Sequence, residues 1–170
     1  VHPETVLHGI LQERGYSTQT APTLETPFHR PPQPHQVESY DNALVGAVRG
    51  GDLAALRAMR AAGHTMTACN RFGESVLHTA VRHGSVDVVA FLLESGAHAG
   101  TCDDCGRTAL HFALWTPAPR FDVATLLLNT DVRLLRCLDK RGASPLQYVR
   151  PEHWPLWCRF FHAKKHLYWP

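Results

Sequence analysis

Residues 73–81 read GESVLHTAV, and residues 106–114 read GRTALHFAL. Both strings carry Gly, a hydroxyl residue, Leu-His and Ala in one order, with Gly73 and Gly106 standing 33 positions apart. A phrase that returns at such an interval marks a stacked structural unit. Ser75 and Thr108 stand where a helix begins, and their hydroxyls can cap its free backbone N–H groups. Leu77, Ala80 and Val81 then recur at helical spacing, as do Leu110, Ala113 and Leu114. Gly84 is expected to end the first helix in a left-handed conformation. Val86, Val89, Leu92 and Leu93 form the inner stripe of a second helix, matched by Val123, Leu126, Leu127 and Leu128. One such helix pair cannot bury its apolar face alone, so the core must come from stacking.

The match extends both ways. NRFGESVLHTAVRHGSVDVVAFLLESGAHAGTC runs from Asn70, and DDCGRTALHFALWTPAPRFDVATLLLNTDVRLLRCL runs from Asp103. Upstream, Ala47, Gly51 and Gly63 fall 33 residues before Ala80, Gly84 and Gly96. Downstream, DKRGASPLQYV repeats the opening, with Gly142 placed 36 residues after Gly106. The Gly-x-Thr-x-Leu-His-x-Ala phrase, the Val-Val-x-x-Leu-Leu segment and the Gly-Ala ending resemble ankyrin repeats. The resemblance implies an all-α solenoid of stacked helix-turn-helix units joined by short β-turn hairpins, preceded by an extended N-terminal segment. It divides the chain into residues 1–36, a short helix and Pro-rich linker, then units at 37–69, 70–102, 103–138 and 139–162. The terminal units are degenerate caps, and residues 163–170 form a tail. The resemblance also implies that His78 and His111 hydrogen-bond backbone near the helix start and the adjoining turn.

Two units depart from the pattern. The third has LWTPAPRFD between its helices, two residues longer than its counterpart, and Pro117 and Pro119 forbid regular helix there. The insertion reads either as a tolerated loop or as an aromatic contact point carried by Trp115 and Phe121. In the last unit Gln147 replaces the His, Pro151 and Pro155 crowd the second helix, and Trp154, Trp157, Phe160 and Phe161 are expected to cover the open end of the stack.

Composition narrows the function. Residues 1–38 carry two Arg against four Glu and half of the twelve prolines, while residues 39–170 carry fifteen Lys and Arg against eleven acidic residues. A net charge of +2 is too small to imply nucleic-acid binding. No window of 18 apolar residues suggests a membrane span. VHPETVLHGIL lacks the basic start and long apolar run of a secretory signal, and the absence of an initial Met suggests processing or a segment of a longer protein. Five cysteines without framework spacing point to reduced thiols in a cytoplasmic or nuclear setting.

No phosphate loop, nucleophile elbow or His-Glu-x-x-His motif is present, so neither catalytic residues nor a cofactor are expected. Cys102-Asp-Asp-Cys105, with His98 nearby, has knuckle-like spacing but no second pair, and no metal site is assigned. What the resemblance implies is a protein-binding groove formed by hairpin tips and first helices. Its candidates are Arg71, Phe72 and Glu74 at one tip, Asp104, Cys105 and Arg107 at the next, and Lys140 and Arg141 at the last. Arg49, Arg82, His83 and Trp115 come from the ends of first helices, with Arg150 as a possible addition. The excess of Arg and Lys suits an acidic or aromatic-bearing segment of a partner protein, although a solvated charged face would hold the same residue types.

The front segment has its own pattern. Pro3 can open a helix, Val6, Leu7, Ile10 and Leu11 make an apolar face, and Gly15 can stop it. Three readings follow: a helix packed on the first unit, a motif for a second partner, or a segment docked in the molecule's own groove. An adaptor or scaffold module is the leading reading of the whole. The other is an accessory subunit of a large assembly, anchored through the N-terminal helix and the aromatic tail HLYWP.

Overall fold

The computed structural model describes residues 1–170 and contains nine α-helices. Helix α1 spans Pro3–Glu13 and α2 Pro34–Ser39. The repeats supply α3 (Asn42–Gly50) and α4 (Leu53–Ala61), α5 (Val76–His83) and α6 (Val86–Glu94), then α7 (Ala109–Leu114) and α8 (Phe121–Thr130). Helix α9, Trp154–Tyr168, closes the chain. The first helices of successive units stack as α3, α5, α7 and the short helical turn Pro145–Tyr148, with α6 and α8 stacked behind them. One continuous apolar core runs through all the units.

The expected local chemistry is in place. Ser75 Oγ accepts from the His78 N–H at the start of α5, and Thr108 occupies the same position before α7. Leu77, Ala80, Val81, Leu110, Ala113 and Leu114 are all buried. In α6 the buried stripe is Val88, Val89, Phe91 and Leu92, with Val86 and Leu93 only half-buried. This stripe is wider than expected because α6 faces both α5 and α8.

Gly84 corrects the sequence reading. Its φ of −88° is ordinary, whereas its counterpart Gly51, in the first unit, ends α3 in the left-handed region, at +70°. What Gly84 supplies is space. A Cβ there would stand 2.9 Å from the Ala80 carbonyl oxygen and 3.1 Å from that of Val48, on the neighbouring helix.

The front segment is the largest departure. Helix α1 packs on α9 at the far end of the stack, burying Leu7, Ile10 and Leu11. The reason is apolar area: the aromatic face of the last helix offers more of it than the alanine-rich α4 of the first unit. Glu4 pairs with Arg136 at 2.9 Å and accepts from the Ser144 hydroxyl. From there the chain returns along the array. Strand β1, Ala21–Pro22, pairs parallel with β2, Cys137–Leu138. Thr23 donates to the Leu138 carbonyl at 3.0 Å, and Phe28 lies on Gly100. Gln36 donates to the Thr67 carbonyl at 3.1 Å in the first unit. Residues 17–33, expected as a linker, are therefore a strap joining the last unit to the first.

The C-terminus is corrected as well. Residues 163–168 continue α9, and Tyr168 and Trp169 are buried. Phe121, Trp157, Phe160 and Phe161 interlock with ring centres 4.5–6.0 Å apart, covering the end of the stack as the sequence suggested.

Candidate functional site

Three tips project between the units, each built the same way. A backbone bond closes each one: Asn70 to Glu74 at 2.9 Å, Asp103 to Arg107 at 3.0 Å and Asp139 to Ala143 at 2.9 Å. Within each, the side-chain oxygen of Asn70, Asp103 or Asp139 accepts two backbone N–H groups at 2.9–3.1 Å. Gly73, Gly106 and Gly142 turn the chain at φ of +80°, +75° and +76°. Adjacent tips are tied by Asp104 N–H to the Phe72 carbonyl and Lys140 N–H to the Cys105 carbonyl, both 2.8 Å. The sequence reading passed over Asn70, Asp103 and Asp139, although their spacing matches that of the tip glycines.

His78 and His111 fix the tips to the helices. Nδ1 of His78 accepts from the Ser75 N–H at 3.0 Å, and its Nε2–H donates to the Arg107 carbonyl at 3.0 Å. His111 makes the same pair of bonds with Thr108 and Ala143, each 3.1 Å. Burial drives the His78 pKa down to about 4, and burial also lowers that of His111. Both rings are neutral structural pins, as the sequence implied.

The candidate binding residues divide by environment. Arg49, Arg71, Phe72, Arg82, His83, Asp104, Trp115, Lys140, Arg141 and Arg150 are exposed, while Glu74, Cys105 and Arg107 are half-buried. The strap reaches the middle tip, where a Cβ at Gly106 would stand 3.4 Å from the Leu24 side chain, while Arg49, Arg71, Phe72, Arg82, His83, Trp115, Lys140 and Arg141 stay exposed. Arg107 is the one candidate cation with a carboxylate partner, its Nε donating to Asp103 at 2.8 Å. Arg71 lies 4.9 Å from the centre of the Phe72 ring. Partial desolvation, and then the charges of Arg49 and Arg82, hold the His83 pKa below its usual value.

Two features were missed. The guanidinium carbons of Arg82 and Arg107 lie 5.0 and 5.2 Å from the centre of one ring, that of Phe112. Trp115, 52% exposed, packs on Tyr148 with ring centres 5.1 Å apart and planes tilted by 31°. The signals were faint: Phe112 reads as core, and Tyr148 sits in a unit whose helix is lost. The third-unit insertion also has a staple that sequence did not disclose. Arg120 donates to the Val81 and Gly84 carbonyls at 2.8 and 2.9 Å, capping α5 across the gap.

Asp103, Asp104 and Cys105 bring ligand atoms within 4.8 Å of one another. The Asp103 oxygens, however, are taken by the Cys105 and Arg107 backbone N–H groups and by the Arg107 side chain. Cys102 does not join the cluster; burial pushes its thiol up to about 12. No helix is long and apolar enough to cross a membrane.

A family model described as ankyrin repeats, in three copies, matches residues 44–136. The chain is 37% identical to BTB/POZ domain-containing protein 1 of Schizosaccharomyces pombe over 47% of this chain and 6% of that protein. It is 42% identical to alpha-latroinsectotoxin-Lt1a of Latrodectus tredecimguttatus, over 32% and 4%. It is 37% identical to neurogenic locus notch homolog protein 1 of Xenopus tropicalis, over 45% and 3%. The chain thus corresponds to a small part of each of these relatives. The repeated tips, the paired helices and the family match together place this chain in the ankyrin-repeat family.

Proposed function

We propose that this chain is a non-enzymatic protein-interaction module, an adaptor or scaffold that holds an acidic segment of a partner protein on the face formed by its tips and first helices. Ankyrin repeats indicate a protein-interaction module. The observation that carries the finer reading is charge. Arg49, Arg71, Arg82, Lys140 and Arg141 are all exposed on the tips and first-helix ends, and none has a carboxylate within salt-bridge distance. Arg is weakly hydrated and its fork matches a carboxylate, so such a surface favours acidic side chains. Free thiols at all five cysteines support a reducing compartment, cytoplasmic or nuclear.

The accessory-subunit alternative has less apolar surface than the sequence suggested: Leu7, Ile10 and Leu11 of α1 and Tyr168 and Trp169 of the C-terminus are buried within this chain, leaving Val1 and Leu167 as the exposed apolar side chains at the two ends.

The test is selection from a displayed random-peptide library. Peptides rich in Asp and Glu are expected, and replacing Arg71, Arg82 and Trp115 together by Ala should abolish their retention while the helical circular dichroism stays unchanged. Retention of the same peptides by a folded triple variant refutes the proposal.

A further inference from the structure

We propose that the binding face reads a two-part motif, an acidic residue beside an aromatic one in an extended segment, through a clamp made by Arg82 and Arg107 and a platform made by Trp115. This rests on the interaction-module reading above and specifies the partner's chemistry at two places.

The clamp is preorganised. Phe112 is 5% exposed, and both guanidinium groups lie over its ring. The shared ring holds the two charges at most about 10 Å apart, about one Debye length at 0.1 M salt, so an anion bound at one lies within the field of the other. Arg107 is fixed through Nε by Asp103 and through its backbone by Asp103 and His78. Its outer nitrogens and the entire Arg82 fork make no bond within the chain. The Phe112 ring removes water from one side of each guanidinium, which strengthens a charge-assisted bond to an incoming carboxylate.

The platform lies one helical turn on. Trp115 is the C-cap residue of α7, three positions after Phe112; the Phe112 ring lies against His78 of the preceding unit and Trp115 against Tyr148 of the next. Trp115 is the exposed member of a tilted ring pair with Tyr148, whose hydroxyl donates to Asp139. The loop that follows is pinned by Thr116, donating to the Ala118 carbonyl at 2.6 Å, and by Arg120 on α5. An indole held rigidly with one face in water is the arrangement that anchors an aromatic partner at low entropic cost.

The test is a double dissociation. Selection from a random-peptide library on the wild-type chain should enrich Asp or Glu within two positions of Phe, Tyr or Trp. Selection on Arg82→Ala should keep the aromatic preference and lose the acidic one, and Trp115→Ala should do the reverse. A peptide carrying both should bind each variant about tenfold more weakly by calorimetry. Both substitutions are at exposed positions, and unchanged melting confirms that the fold persists. Peptides that compete for the face yet show neither preference overturn this inference and leave the module reading standing. No peptide binding at all sinks both. Binding of single-stranded oligonucleotides with a steep salt slope, in place of peptides, also overturns it.

Discussion

The buried imidazole of His78 makes the stability of this array sensitive to mild acid. Its folded pKa of about 4 lies below the ordinary value of 6.5, chiefly because burial disfavours the charged ring. Nδ1 also faces the Ser75 N–H, a donor, so a proton placed there would meet another. A group with a depressed basic pKa binds its proton more readily when unfolded. The stability it contributes is therefore complete above pH 6.5 and declines as pH falls toward 4. For these values the loss from His78 is on the order of 1 kcal/mol between pH 7.5 and 5.5, and roughly twice that by pH 4.5. The first figure corresponds to about 2–4 °C in melting temperature for a chain of this size. The comparison is His78→Gln, because Gln147 occupies the equivalent place in the last unit and its Oε1 accepts from the Ser144 N–H at 2.8 Å. The variant should be about 1 kcal/mol less stable at pH 7.5, having lost the bond to the Arg107 carbonyl. By pH 5.5 its melting temperature should draw level with the wild type. His111 remains in both proteins, so the difference between them isolates His78. Parallel melting curves at both pH values refute the argument.

Other perturbations follow from the packing. A Cβ at Gly100 would overlap the Phe28 ring, so Gly100→Val should lift the strap. Hydrogen exchange at the Thr26 and His29 amides, which bond to the Thr23 and Thr26 carbonyls, should rise at least about tenfold while α5 and α6 stay protected; unchanged exchange counts against the strap. Among the thiols, Cys69, Cys102 and Cys137 are buried, and desolvation drives Cys102 and Cys137 up to about 12 and 11. Native alkylation at pH 8, followed by mass spectrometry, should therefore label only the half-buried Cys105 and Cys158 rapidly.

What the sequence disclosed, and what it withheld, follows the range of the interactions. The Ser75–His78 and Thr108–His111 boxes are local and written twice, so their roles could be read from spacing. Tip residues such as Arg71 and Arg107 were legible for the same reason. The strap was not. Glu4 meets Arg136 and Thr23 meets Leu138 across more than a hundred residues, and no periodicity announces such a meeting. Gly100 carries no mark that Phe28 will lie on it. Gly84 shows a different failure: its position in the repeat suggested a backbone conformation, whereas the requirement is clearance from the Val48 carbonyl on the adjacent helix. Phe112 and Tyr148 were missed because an apolar residue on a helix reads as core, and only coordinates reveal a guanidinium lying over it.

The seating of α1 on α9 bears on how the chain comes into being. The Pro3–Glu13 helix leaves the ribosome before the repeats, yet its seat at Trp154–Tyr168 is made after them. The repeats between them close mainly short-range contacts and can zip up in order of synthesis, while the leading helix waits with Leu7, Ile10 and Leu11 uncovered. Docking of that helix then follows the stacking of the units, and any chaperone that shields the nascent array has a longer task at this helix than at the repeats behind it.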